Sequence, residues 1–161
     1  MSLTAETISA ALMDFRRVKE AIRRAVQATS KKEDFGSKFR TRALDIPSSI
    51  VTSGLLPTLT FYYAKVGSTS YQNVVALFEG KTKKVEPVEP DKFAYGACLF
   101  LVLRRLAELG FLEGAAPSEP LTCFEKLAQM EPLRLSMLLP RLLPYLLEIR
   151  KLSEAEFKPE G

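Results

Sequence analysis

The chain has no histidine and no tryptophan, only two cysteines, and no charge-free apolar run long enough to cross a bilayer. Missing histidine removes the side chain most used for proton transfer near neutral pH, and the commonest ligand for zinc and copper. Cys98 and Cys123 stand 25 residues apart in apolar segments, with no Cys-x-x-Cys spacing to hold a metal. They are expected to be buried free thiols, which suits a reducing cytoplasm. A phosphate-cradling glycine-rich loop is also absent, and Ser48, Ser49 and Ser53 have no histidine to serve as their base. Glu86, Glu89 and Asp91 cluster in one stretch, but Pro87 and Pro90 keep it extended and no glycine supplies the sharp turn of a calcium loop. These absences argue against an enzyme and against any metal or cofactor. A secretory leader is not expected either, because Glu6, Asp14, Arg16 and Arg17 interrupt the first apolar positions. The best membrane candidate, residues 93–112, carries Arg104 and Arg105 near its centre. Facing lipid, each would cost about 2.5–3.5 kcal/mol, so this segment reads as a buried helix with no membrane partner.

What is present suits a self-sufficient helical domain. A chain of 161 residues can bury close to ~70% of the surface its unfolded form exposes, so it needs no staple. At 47% hydrophobic and 26% charged, it has an ordinary globular composition. No period-two alternation persists, and the pattern predicts one all-α bundle of six or seven helices over residues 1–161, with a short mobile tail after about 157. The first helix is expected from Thr4, as N-cap, to Thr29, with Ile8, Leu12, Phe15, Ile22 and Val26 as its apolar stripe. The second runs from Lys38 to Ser53, kinked or restarted at Pro47. A third spans residues 54–66, with Leu55, Leu59 and Tyr62 or Tyr63 at helical spacing, and a fourth spans 70–78. Residues 92–109 are apolar on nearly every face and are expected at the centre of the bundle. A short helix at 118–130 and a long one from Pro132 to Ser153 follow, the latter bent at Pro140 and Pro144.

Charge is unevenly placed. Residues 1–42 hold ten Lys or Arg against five Asp or Glu, whereas residues 43–161 hold thirteen against fourteen, so the positive excess is N-terminal. On the first helix Arg16 and Arg23 lie seven residues apart, as do Arg17 and Arg24, with Glu20 between them. Lys31, Lys32, Lys38, Arg40 and Arg42 follow. One reading is a face for a polyanion, nucleic acid above all; the other is an ordinary solvated surface. Phe35 and Phe39, set among these cations, suit either base stacking or the core, with Phe39 favouring the core.

Residues 46–65 carry a more specific signal. Ile46-Pro47-Ser48-Ser49-Ile50, then Ser53-Gly54-Leu55-Leu56-Pro57-Thr58-Leu59-Thr60-Phe61 and Ala64-Lys65, resembles the hallmark of the small helical subunit, subunit five, of the type III-B CRISPR RAMP module known as the Cmr effector complex. That family runs from Pro-x-x-Ile to Asn-Gly-Leu, Thr-Leu-Ala-Phe and a closing Ala-Lys or Ser-Lys; here Ser53, Pro57 and Thr60 depart from it. A second stretch, Ile149-Arg150-Lys151-Leu152-Ser153-Glu154-Ala155, is similar to the family's closing helix, without its customary tryptophan.

The resemblance implies a non-catalytic structural subunit of an RNA-guided antiviral ribonucleoprotein, stacking on copies of itself and on the backbone subunit, which performs the RNA cleavage. Its partners would be other Cmr subunits and single-stranded RNA or the guide–target duplex, bound without regard to sequence. Arg16, Arg17, Arg23, Arg24, Lys31, Lys32, Lys38 and Arg40 would then meet backbone phosphates, which need charge but no base code. Lys65, Arg150 and Lys151 are secondary candidates that could instead pair with carboxylates. Pro47, Ile50, Gly54, Leu55, Leu59 and Phe61 would be structural, setting the angle between core helices. The competing class is a helical adaptor that captures an acidic protein through the same basic face, and a bundle-pocket enzyme would need an enclosed cavity with converging polar groups.

Overall fold

The computed structural model describes residues 2–29, 34–80 and 86–161, and among these the chain forms seven helices and no strand. They are α1 (Leu3–Ala28), α2 (Phe35–Ser53), α3 (Leu55–Val66), α4 (Ser68–Glu79), α5 (Pro90–Glu108), α6 (Pro120–Ala128) and α7 (Pro132–Glu156). The expected all-α bundle is what the chain adopts. Its axis is α5, whose residues 93–103 are all buried and which packs against α2, α3, α4 and α7. A helix apolar on every side can be satisfied only by neighbours on every side. Pro90 in its first turn and Asp91 beside it favour the start of this helix. Buried side chains from all seven helices join one apolar cluster. Cys98 and Cys123 lie within it as free thiols. Burial pushes both away from the reactive thiolate, Cys123 to about 11.

Helix α1 corrects the expected stripe. It begins two residues earlier than Thr4 as N-cap implies, capped by Ser2, whose Oγ accepts from the Ala5 N–H at 3.1 Å. Its buried face is Ala11, Asp14, Phe15, Val18, Ala21 and Ala25, while Ile8 and Leu12 are 38% and 46% exposed. Three alanines on this face let the helix axis approach its neighbours closely. A carboxylate lies among them, and large apolar residues alone therefore mark the wrong stripe. Ile22 and Val26 pack at the margin of the core.

Helix α2 does not restart at Pro47 but continues to Ser53. Proline deletes the bond to the Ala43 carbonyl, but Ile46, Pro47 and Ile50 are all buried, and that packing holds the helix together. The helix also starts three residues before Lys38, because Phe35 and Phe39 are both buried. Phe35 meets Phe93 edge-on at 5.6 Å. Neither ring is offered to a base, so the stacking reading is overturned. Helix α7 runs through Pro140 and Pro144 and extends to Glu156, three residues beyond the expected end at Ser153.

Gly54 alone joins α2 to α3. Its N–H donates to the Ile50 carbonyl at 2.9 Å, and its own carbonyl accepts from the Thr58 N–H at 3.2 Å, so one residue closes one helix and opens the next. Its φ of 96° with ψ of 157° belongs to a region reached essentially by glycine only. Gly67 repeats this geometry between α3 and α4.

Candidate nucleic-acid interface

The exposed side of α1 carries Arg16, Lys19 and Arg23 at spacings of three and four residues, which places them on one ridge. Glu20 interrupts it and forms an ion pair with Arg23 at 2.7 Å. That contact holds the Glu20 carboxyl below its usual range and raises Arg23. Arg24 and Arg17 turn toward the protein. Arg24 Nη1 donates to the Leu77 carbonyl at 2.7 Å, satisfying the C-terminal turn of α4, and approaches Glu20 at 3.9 Å. Arg17 lies 2.6 Å from Asp14.

On α2, Lys38 pairs with Glu160 at 3.6 Å, and Arg40 has no carboxylate partner among the described residues, its Nε being buried without a hydrogen bond. Arg42 is engaged structurally: it donates to Tyr95 Oη at 3.0 Å and lies over that ring at 4.7 Å. Lys65 covers the Phe61 ring at 5.3 Å. Arg150 and Lys151 pair with Glu154 and Glu148 at 3.4 and 3.0 Å. Lys31 and Lys32 lie outside the described residues. The structure therefore brings Arg16 and Arg23 together on α1 and Lys38 and Arg40 together at the start of α2, and places Lys65, Arg150 and Lys151 on other elements. Exposed pairs of this kind contribute only ~0.2–1 kcal/mol, so a phosphate can exchange with the carboxylate.

Of the expected structural residues, Pro47, Ile50, Leu55 and Leu59 are buried and Gly54 is the joint. Phe61 is 51% exposed and touches Tyr62 and Tyr95 edge-on at the surface.

Sequence reasoning overlooked the network that holds α1 in place. Asp14, 1% exposed, accepts from Tyr145 Oη at 2.6 Å, Arg17 Nη1 at 2.6 Å and Arg104 Nε at 3.2 Å. Arg105, also 1% exposed, donates two parallel bonds to Glu6 at 2.9 and 2.8 Å and lies over the Tyr145 ring at 5.2 Å. Burial, and then the Asp14 carboxylate, drive the Tyr145 hydroxyl well above its ordinary range; the Arg105 hydrogen bond holds Glu6 below its own. Two arginines inside an otherwise apolar helix demand carboxylate partners. Glu6 and Asp14, eight residues apart and so on one face of α1, were the signal in the sequence.

A family model described as CRISPR-associated protein (Cas_Cmr5) matches residues 13–91, which include the stretch 46–65. Over 149 residues the chain is 30% identical to the CRISPR system CMR subunit Cmr5 of Saccharolobus solfataricus, covering 88% of this chain and 92% of that protein. The chain belongs to the Cmr5 family. Its fold is similar to a chain in a cryo-EM structure of type III-B Cmr-beta bound to cognate target RNA and AMPPnP, with a TM-score of 0.63 and 26% identity, over 91% of this chain and 97% of that one. A chain of the type III-B Cmr-beta complex bound to non-cognate target RNA matches with a TM-score of 0.64 at 25% identity, over the same shares. For a Cmr5-family chain this likeness extends well beyond the matched motif, over 91% of its length. No described helix is long and apolar enough to cross a membrane, and no group of metal-ligating side chains occurs among the described residues.

Proposed function

We propose that this chain is a non-catalytic structural subunit of a cytoplasmic, RNA-guided type III-B Cmr ribonucleoprotein, in which it stacks on other subunits and meets the RNA backbone through α1 and the start of α2. The observation that carries the reading is the near full-length likeness to chains of Cmr-beta complexes bound to target RNA. The cationic ridge of Arg16, Lys19 and Arg23 supports the RNA part, since phosphate contacts need charge and reach rather than a base code. The stacking part draws on α7, where Leu133, Met137, Pro140, Pro144 and Leu147 are exposed at spacings of three and four residues. Such a seam fits a facing helix. Sequence choice and cutting would fall to the guide and to the backbone subunits.

The test is a reconstituted complex carrying Arg16→Ala, Arg23→Ala, Lys38→Ala and Arg40→Ala, changes that spare the buried Asp14 and Glu6 network. RNA retention is titrated against salt. Each phosphate contact contributes roughly −0.7 to the slope for a single strand, so losing four should flatten it by about 2.8. An unchanged slope with full assembly would refute the phosphate role and favour the adaptor that binds an acidic protein through the same face.

A further inference from the structure

The last residues of the chain fold back over the cationic surface. Beyond α7 the backbone becomes extended at Phe157, with φ −120° and ψ 147°, and carries that ring into a socket between α1 and α2. The Phe157 ring lies 5.4 Å from Phe15 of α1 and 6.2 Å, edge-on, from Phe39 of α2. The socket floor is Gly36, where a Cβ would stand 2.6 Å from Phe157 Cδ1, so a side chain there would expel the ring. On either side of this anchor one carboxylate takes one lysine: Glu156 meets Lys19 of α1 at 2.6 Å, and Glu160 meets Lys38 of α2 at 3.6 Å. Those lysines belong to the two helices that bear the charge excess. Their side chains and those of the two glutamates are between 36% and 50% exposed, which leaves both pairs open to solvent and ions.

We propose that residues 156–160 form an acidic strap, tethered by Phe157, that occupies Lys19 and Lys38 and yields them to an RNA backbone when it binds. The inference rests on the reading of α1 and α2 as RNA-facing. The division of labour follows from the geometry. The partly buried ring contributes the apolar contact that holds the strap in place and keeps its carboxylates at high local concentration. The carboxylates occupy the lysines only through weak, screened pairs, so phosphates can replace them while Phe157 stays seated. An intramolecular competitor of this kind weakens binding of short or stray anions more than that of a long strand, which makes several contacts at once.

The experiment uses the full chain and a fluorescein-labelled oligouridylate, with affinity read by anisotropy across a salt series. The strap variant is Glu156→Gln with Glu160→Gln, which keeps Phe157. A control, Glu125→Gln with Glu131→Gln, changes net charge equally on exposed residues elsewhere. Freeing two exposed pairs should raise affinity about 2- to 30-fold at low salt and steepen the slope by up to about 1.4. The control should gain clearly less, and adding Lys19→Ala and Lys38→Ala to the strap variant should cancel the gain. Equal affinity for parent and strap variant, or an equal gain in the control, overturns the strap alone. Failure of every protein to bind the oligouridylate overturns the RNA reading, and the strap with it.

Discussion

Replacing Asp14 by asparagine isolates the charge of the network that fixes α1. The shape is kept, and Tyr145 can still donate to the amide oxygen, but Arg17 and Arg104 lose their buried acceptor. Breaking a fully buried ion pair by removing one partner costs about 3–5 kcal/mol. Here the arginine side chains stay 37% and 31% exposed, and Arg104 keeps Glu108 at 3.2 Å, which brings the expected loss to about 2–3 kcal/mol. For a domain of this size that lowers the melting temperature by roughly 5–10 °C. Urea unfolding followed at 222 nm should show a lower midpoint with an unchanged m-value. Tyr145→Phe should be cheaper, about 1–2 kcal/mol, because it removes the hydroxyl together with its need for a partner. Combined with Asp14→Ala, which strands that hydroxyl in the core, it should show a coupling of at least about 1 kcal/mol. If Asp14→Asn unfolds within about 0.5 kcal/mol of the parent and the coupling is zero, the network does not hold α1 and the argument fails.

Gly54→Ala forces a Cβ into the joint at φ 96° and should destabilise by about 1–3 kcal/mol; an unaltered urea midpoint would show that the joint tolerates ordinary backbone. Acid should weaken the Arg105 pair: Glu6 has a lowered folded pKa, so its contribution is present above the ordinary value of 4.5 and is lost as pH falls through the folded one. The stability gap between the parent and Glu6→Gln should thus be full at about pH 7 and narrow toward about pH 3, and a gap independent of pH would contradict the pairing.

The helical class and the place of α5 were legible because continuous apolar character over residues 93–103 leaves no solvated face to draw. The Gly54 joint was legible too, as a glycine between two helical periodicities. A restart at Pro47 does not occur, since the buried neighbours Ala43, Ile46 and Ile50 hold the helix through it. The α1 stripe was misread because alanines and one aspartate form the buried face, and size is a poor guide where axes approach closely. In the candidate interface the charge excess was visible but its pairing was only partly so. Glu20 lies three residues before Arg23, within reach of sequence reasoning, whereas Glu156 meets Lys19 across 137 residues and requires the fold. Asp14 looked like an interruption of an apolar segment, and only Arg104 and Tyr145, side chains of two other helices, explain it.

Single-residue splices at Gly54 and Gly67 leave the stretch from Phe35 to Glu79 without slack. Adding one residue early in α3 would turn everything after it by about 100°, carrying Tyr62 and Val66 from the interior toward water. Length variation in this protein therefore belongs in exposed turns such as Glu113 and Gly114, which can bulge outward. Any relative that differs in length within the spliced stretch should have re-cut its helices rather than stretched a loop.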